Sequence, residues 1–368
     1  MTPAGDGEVF AVITGGGTGG HVYPALALAN ELVARGHARE TIRFVGARRG
    51  LESRVVPEEG YAINLLPGRG FRRRVAAANV GAAWDTLRAL VQARRLVARV
   101  RPEVVVGVGG YASLPSLVAA RMQRVPTVVH EQNAAPGLAN RMAVRMGARA
   151  AVSLRGTPLR GAVLTGNPVR TEVVSVRRAP DAERPLVAVF GGSLGAGTIN
   201  DAALGLFDRW RGRVDVAVHH VTGTRNFEAC SARLTALRRP SDRLDYELVG
   251  YEDHMERLYA RTSVAVCRAG AITVTELAAA GLPAVLVPLP GAPGDHQTRN
   301  AEALVDGGAA IVVPDADCDA ARLDTELRGL LGDPARLGAM ATAARALSRP
   351  DAAARVADLV EEAARARR

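Results

Sequence analysis

A chain of 368 residues is too long for one compact core and points to two domains of ordinary size. With 48 % hydrophobic and 23 % charged residues the composition is that of a globular protein, and no apolar run reaches the ~18–20 residues that would span a bilayer. The net charge of +10 is uneven: residues 1–168 hold 22 arginines against 10 acids, the remainder 25 against 27, and there is no lysine. A basic first half implies an anionic partner, whether nucleic acid, a phosphate-rich ligand or a membrane face. Cys230, Cys267 and Cys318 are too few and too far apart for a disulfide framework or a metal cluster. The opening MTPAGDGEVF has no basic segment followed by an apolar one, so no signal peptide is expected and a reducing cytoplasm fits.

In chain order, strands are predicted at 9–14 (VFAVIT), 41–46, 61–66, 103–108, 126–130 and 161–165. Helices lie between them, one from about Val22 and one filling Val75 to Val100. The plan restarts with strands at 185–190 (PLVAVF), 214–219, 246–250, 263–267, 283–288 and 310–314. Strands alternating with helices predict parallel sheets covered on both faces, hence an α/β fold of two doubly wound domains. The domains are expected at 1–166 and 167–348, with GNPVR (166–170) as a Gly/Pro-punctuated linker. An Ala/Arg/Glu-rich helix in 349–368 is expected to pack back on the first domain.

Each half opens with a strand that runs into glycines, GGGTGG (15–20) and GGSLGAG (191–197). So dense a run wastes chain entropy unless the backbone must approach something closely. Free N–H groups and the positive end of the next helix suit a diphosphate or a developing anion. Gly15, Gly17 and Gly20 also match a dinucleotide fingerprint, but the second strand ends on Arg48 and Arg49 where an acid would bind ribose, which leaves room for NADP and little for NAD. His21 stands in the first turn of the following helix, as a candidate general base or as a helix-start donor.

Further along, HEQN (130–133) sits at a strand end and offers Glu131, Gln132 and Asn133, and GVGGYASLP (107–115) is a second glycine turn at the same crevice edge. In CRAGAITVTELAAAGLP a helix starts near Ile272, with Glu276 about one turn inside, where a carboxylate can accept from a ribose diol. GDHQTRNAEAL presents His296, Gln297 and Asn300 to a sugar. The Asp-x-Asp in PDADCDA reads as loop and helix-cap chemistry, and no cluster has metal-ligand spacing. In GRGFRRRVAAANVGAAWDTL, Phe71 and Trp84 with Arg72, Arg73 and Arg74 read as a contact for an anionic membrane, against the alternative of a solvated loop and a core-facing helix.

Taken together, GGGTGGHVYPALALA, GGYASLP, HEQN, GNPVR, GGSLGA, CRAGAITVTELAAAGLPA and HQTRNA run in order from residue 15 to 301, and this set resembles the MurG family. The resemblance implies a GT-B fold, two Rossmann-like domains facing across a cleft. It implies an inverting transferase, with no cofactor and no required metal, that moves GlcNAc from UDP-GlcNAc to the muramoyl 4-hydroxyl of lipid I (undecaprenyl-diphosphate-MurNAc-pentapeptide). The place of work would be the cytoplasmic face of the cell membrane, with an anionic surface and no nucleic acid as partner. For that reaction His21 is the first candidate general base and Glu131 the second. Thr18, Gly19, Gly20, Asn133, Arg170, Ser193, Glu252, Ala271, Ile272, Thr273, Val274, Thr275, Glu276 and Gln297 would hold the donor, with Glu276 on the ribose and the backbone of Glu252 at the uracil. Gly16, Gly17, Gly109, Gly110 and Tyr111 would line the acceptor diphosphate. The chain departs from the family pattern at His296, where a glutamine is usual, and in one extra residue before it. Rival readings are another lipid or natural-product transferase of this fold, a UDP-GlcNAc 2-epimerase, an NADP-dependent oxidoreductase and a membrane-surface binding protein.

Overall fold

A computed structural model describes residues 9–48, 50–67, 78–110, 112–192 and 195–366. The chain divides into two compact units, Met1–Arg170 with Arg349–Arg368, and Thr171–Ser348. The first unit runs β1 (Ala11–Thr14), α1 (Gly19–Ala34), β2 (Ile42–Ala47), α2 (Glu52–Glu58), β3 (Ala62–Leu66) and α3 (Ala78–Val100). It continues β4 (Val104–Gly107), α4 (Ser113–Met122), β5 (Thr127–Glu131), α5 (Leu138–Arg145), β6 (Arg149–Val152) and β7 (Val163–Leu164). The second unit starts α6 (Thr171–Val174), β8 (Leu186–Phe190), α7 (Gly197–Trp210), β9 (Ala217–Val221), α8 (Phe227–Leu237), β10 (Asp245–Val249) and α9 (Met255–Arg261). It ends β11 (Thr262–Cys267), α10 (Ala271–Ala280), β12 (Ala284–Leu286), α11 (His296–Asp306), β13 (Ala310–Val312), α12 (Ala320–Leu331) and α13 (Pro334–Leu347). Helix α14 (Ala352–Arg365) closes the chain within the first unit.

Both sheets are parallel, with strand orders β3-β2-β1-β4-β5-β6-β7 and β10-β9-β8-β11-β12-β13. These are the Rossmann-like halves of which a GT-B fold is made. The order reverses between β1 and β4 and again between β8 and β11, and ligands of open α/β sheets bind at the strand ends beside such a switch. The central strands are short runs of small and β-branched residues because both faces are covered. In the first unit Ala11 and Ile13 face one buried cluster and Val12 the other, as do Val104 and Val106 against Val105.

The clusters also explain the terminal helix. Val356, Ala357, Val360, Ala363 and Ala364 of α14 are buried in the cluster that holds Ala11, Ile13 and Leu28. Arg35 at the end of α1 reaches Asp358 at 2.7 Å, Glu361 at 3.3 Å and the carbonyl of Ala354 at 2.8 Å.

The structure adds one strand that the sequence did not suggest: the residues of β6, RAAV, have weak strand propensity, and pairing with β5 and β7 makes it a strand. In GNPVR Asn167 is buried, the carbonyl of Gly166 accepts from His130 at 2.9 Å, and the chain passes from the first unit to the second after Arg170.

Candidate active site

In the first unit Thr14 and Gly107, at the ends of β1 and β4, are paired neighbours, and a glycine turn leaves each of them. The two turns touch. The N–H of Gly16 donates to the carbonyl of Gly109 at 3.3 Å, and a Cβ on Gly110 would lie 2.4 Å from the carbonyl oxygen of Gly16. Gly17, Gly109 and Gly110 have φ of 95°, 92° and 85°, which glycine adopts without strain. So Gly16, Gly17, Gly109 and Gly110 come together; Tyr111 lies outside the described residues.

Glu52, which sequence analysis missed, fills part of this turn. It is buried in the first turn of α2 and accepts from the N–H of Gly17 at 2.7 Å and of Ala47 at 2.8 Å. A Cβ on Gly16, Gly46 or Gly50 would lie 2.2, 2.4 or 2.0 Å from its side chain. Part of the glycine run therefore makes room for an internal carboxylate, and the N–H of Gly17 is already engaged. The available signal was a single acid in the arginine-rich GARRGLESR.

Thr18 caps α1 in an extended conformation, its carbonyl accepting from the N–H of His21 and Val22. Gly19 and Gly20 open the helix, where backbone donors and the dipole gather. The His21 ring lies against Gly109, where a Cβ would be 2.9 Å from its Cε1. Its Nδ1 is 3.2 Å from Oε1 of Gln132. Burial pushes the His21 pKa below the ordinary histidine value, against the opposing pull of the Glu131 charge, the Gln132 hydrogen bond, the Val108 carbonyl and the Glu52 charge. An imidazole kept uncharged at neutral pH is ready to accept a proton.

Glu131 is buried and fully engaged. Its carboxylate accepts from the backbone and side chain of Asn133 at 3.0 and 3.3 Å, the N–H of Gly137 at 2.9 Å and Nδ2 of Asn140 at 2.9 Å. It holds the loop after β5, and Asn133 is part of that clamp. Arg170, expected in the second domain, is the last residue of the first unit, its guanidinium 5.2 Å from the ring centre of Tyr23. On α3, Trp84 is 55 % exposed with Arg88 over its ring, and Leu87 and Val91 are exposed one and two turns on. Phe71, Arg72, Arg73 and Arg74 lie outside the described residues.

In the second unit the turn after β8 closes on its own chain. A Cβ on Gly191 would lie 2.3 Å from the nitrogen of Ala196, and one on Gly195 would lie 2.2 Å from the carbonyl oxygen of Thr222. Ser193 is outside the described residues. After β11, buried Arg268 donates to the carbonyls of Val287 and Pro288 and to Oδ1 of Asp315 at 2.5 Å. Asp315 is thus the acid of an ion pair, and Asp319 caps α12 by accepting from the N–H of Arg322 at 2.8 Å. Among the described residues no group of three or more His, Cys, Asp or Glu could hold a metal.

Ala271, Ile272, Thr273, Val274 and Thr275 form the first turns of α10 behind Gly270. Glu276 is buried and accepts from the hydroxyl of Tyr259 at 2.9 Å. Asn300 on α11 donates to the carbonyl of Ala269 at 3.2 Å, tying that helix to the same turn. Gln297, at the start of α11, accepts from the N–H of Leu289 at 2.9 Å. His296 is nearby with Nδ1 2.9 Å from the carbonyl of Pro293. Glu252 accepts from the N–H of His254 at 2.9 Å, and its other oxygen is 3.2 Å from Nε2 of His219.

The family models "Glycosyltransferase family 28 N-terminal domain" and "Glycosyltransferase family 28 C-terminal domain" match residues 11–152 and 186–356. The chain is 41 % identical over 357 residues to a UDP-N-acetylglucosamine–N-acetylmuramyl-(pentapeptide) pyrophosphoryl-undecaprenol N-acetylglucosamine transferase of Stutzerimonas stutzeri, covering 96 % of this chain and 98 % of that one. A transferase of the same name from Halothermothrix orenii is 36 % identical over 369 residues, covering 96 % and 99 %. Among solved structures, MurG of Acinetobacter baumannii superposes with a TM-score of 0.78 at 29 % identity, covering 96 % and 99 % of the two chains.

Proposed function

The chain belongs to the MurG family of glycosyltransferases, and on that premise we propose that it transfers N-acetylglucosamine from UDP-GlcNAc to the 4-hydroxyl of the N-acetylmuramyl sugar of lipid I, giving lipid II. His21 carries the reading within the site: an imidazole held uncharged at the glycine turn where α1 begins. The muramyl hydroxyl attacks the anomeric carbon with inversion while Nε2 or Nδ1 of His21 takes its proton and UDP departs. Glu131, with both oxygens engaged by its loop, serves better as that loop's clamp than as a second base. Helix N-termini and Arg170 stabilise the charge that builds on the leaving diphosphate. In the second unit Glu276 is suited to the ribose, since Tyr259 fixes its carboxylate, and the α10 turns and Gln297 to the rest of the donor. In the first unit Gly16, Gly17, Gly109 and Gly110 would face the acceptor diphosphate.

Charge supports a place of work at the membrane surface. With its terminal helix the first unit carries 28 arginines against 14 acids, and the second 19 against 23. Among the described residues no helix is long and apolar enough to cross a membrane. Trp84, Leu87 and Val91 beside Arg88 supply the apolar and basic parts of a peripheral contact with the anionic cytoplasmic face of the membrane. Binding to phosphatidylglycerol vesicles should fall with salt and with Trp84→Ala; salt-independent binding would remove this part of the reading.

The deciding experiment is UDP release from UDP-GlcNAc with and without a soluble lipid I analogue, with UDP-glucose as control donor. Acceptor-dependent release that prefers GlcNAc is expected. Tight UDP-GlcNAc binding with no acceptor-dependent release would move the chain to the other lipid transferases or the epimerases of this fold.

A further inference from the structure

Sequence reading placed Gln132 among the polar groups after β5 without a role. It is buried, and its carboxamide can point only one way. One end lies 3.0 Å from the carbonyl oxygen of Val108 and 3.3 Å from that of His130. Carbonyl oxygens only accept, so this end is the NH2. The other end, Oε1, therefore faces Nδ1 of His21 at 3.2 Å. An amide oxygen also only accepts, so Nδ1 carries the ring hydrogen. In a neutral imidazole the lone pair is then on Nε2. The neighbouring ring agrees. His130 Nδ1 lies 3.1 Å from the Gln132 NH2 and accepts, while its Nε2 donates to the carbonyl of Gly166 at 2.9 Å.

We infer that Gln132 is the positioning residue that fixes His21 as its Nδ1–H tautomer and leaves Nε2 as the atom that takes the acceptor's proton. The inference rests on the reading of His21 as the base. As the new bond from the muramyl oxygen to the anomeric carbon forms, the O–H bond breaks and its proton goes to Nε2. The electron pair of the old anomeric C–O bond leaves on the β-phosphate of UDP. The imidazolium so formed keeps its Nδ1–H on Gln132. A neutral amide in this place orients the ring without the large rise in basicity that a directly bonded carboxylate would bring. The charged groups that bear on the ring are Glu131 from β5 and Glu52 from α2, while buried His130 beside it is uncharged at neutral pH.

The test reads the tautomer directly. The full chain is labelled with 15N-histidine, and two-bond 1H–15N spectra are recorded on the wild type, Gln132→Met and Gln132→Glu. The chain has seven histidines, and His21 is assigned by loss of its signals in His21→Asn. At neutral pH the wild-type ring is expected protonated on Nδ1 alone. Gln132→Met should give a mixture of tautomers and lower kcat about 10- to 100-fold with an unchanged Kd for UDP-GlcNAc. Gln132→Glu keeps the acceptor at Nδ1; it should retain the wild-type tautomer, recover part of kcat and move the acid limb of the pH–rate profile up by a unit or more. A wild-type ring protonated on Nε2, or an unchanged tautomer in Gln132→Met, overturns the inference. A shifted tautomer with unchanged kcat and pH profile overturns the reading of His21 as the base and leaves the hydrogen-bond assignment standing.

Discussion

Each unit contains a histidine gripped by a carboxamide, and the two grips end differently. In the second unit Asn200 donates to the carbonyl of Thr222 at 3.1 Å, so its oxygen faces Nε2 of His220 at 3.0 Å and must accept from it. The other ring nitrogen then accepts from the hydroxyl of Tyr246 at 2.8 Å. Both nitrogens are used, the ring is fully buried, and the network is closed. In the first unit Gln132 grips His21 in the same way at Nδ1, but the residue as a whole is half-buried and its ring lies against a glycine turn at the sheet's switch point. An imidazole with both nitrogens satisfied is a piece of core, whereas one at a helix start between two glycine turns is placed to serve as a base. The glycine runs repeat the lesson: after β1 the turn holds an internal carboxylate beside a histidine, and after β8 it closes on its own backbone.

The sharpest way to break this comparison is to remove the His21 ring. His21→Ala should lower kcat by about 10²- to 10⁴-fold with little change in UDP-GlcNAc affinity. Glu276→Gln should do the reverse, raising the donor Kd more than it lowers saturated turnover. Titration of UDP-GlcNAc by calorimetry alongside the release assay separates the two. A matched loss of affinity and turnover in His21→Ala would place His21 in donor binding.

Next in size is the carboxylate under the first glycine turn. Glu52→Ala takes the acceptor from the N–H groups of exposed Gly17 and half-buried Ala47, which water can partly replace, at a cost of roughly 0.5–1.5 kcal/mol each. Gly16→Ala should destabilise as well, because its Cβ would land on the same carboxylate. Hydrogen exchange should then speed up in the first unit and not in the second. Equal protection in both units would show that Glu52 carries no part of the turn.

How much of this was legible varies with the range of the interaction. The parallel sheets were readable because strands buried on both faces are continuous apolar runs, as in AVIT and LVAVF. His21 was readable because its neighbours in sequence, a strand and a glycine turn, are its setting in space. Glu52 was not, since its partner Gly17 is 35 residues away and no local period reports that contact. In HEQN a signal was present and unused. Side chains alternate along a strand, so His130 and Gln132 face one way and Glu131 the other. Alternation would have favoured Gln132 over Glu131 as the neighbour of His21.

A third test uses pH. Burial, chiefly, holds His130 at about 4 and His220 at about 3, below the ordinary histidine value of roughly 6.5. Between those values the unfolded chain binds protons that the native chain does not. Stability is therefore complete above about pH 6.5 and falls as pH drops, by roughly 1.4 kcal/mol per pH unit for each such histidine. Trp84 and Trp210 are the only tryptophans and lie one in each unit, so Trp84→Phe leaves Trp210 to report the second unit alone. Urea melts of that variant from pH 7 to 5 should lose about one proton's worth of slope on His220→Gln. An unchanged slope would mean that His220 is not held neutral in the core.

The smallest effect sharpens the comparison of the two glycine runs. Gly197 is the first residue of α7, and among the described residues a Cβ there would meet nothing within 4 Å. Alanine loses less chain entropy in a helix than glycine, so Gly197→Ala should stabilise by about 0.5 kcal/mol and raise the Tm of the second unit by one or two degrees. Open space at a helix N-terminus is also where a diphosphate would lie. If the variant gains stability and keeps its affinity for UDP-GlcNAc, the glycine is incidental and the donor lies elsewhere along the turn. If it gains stability and loses affinity, the missing Cβ is the clearance that the donor uses, and the second run serves a ligand where the first, at Gly16, serves Glu52.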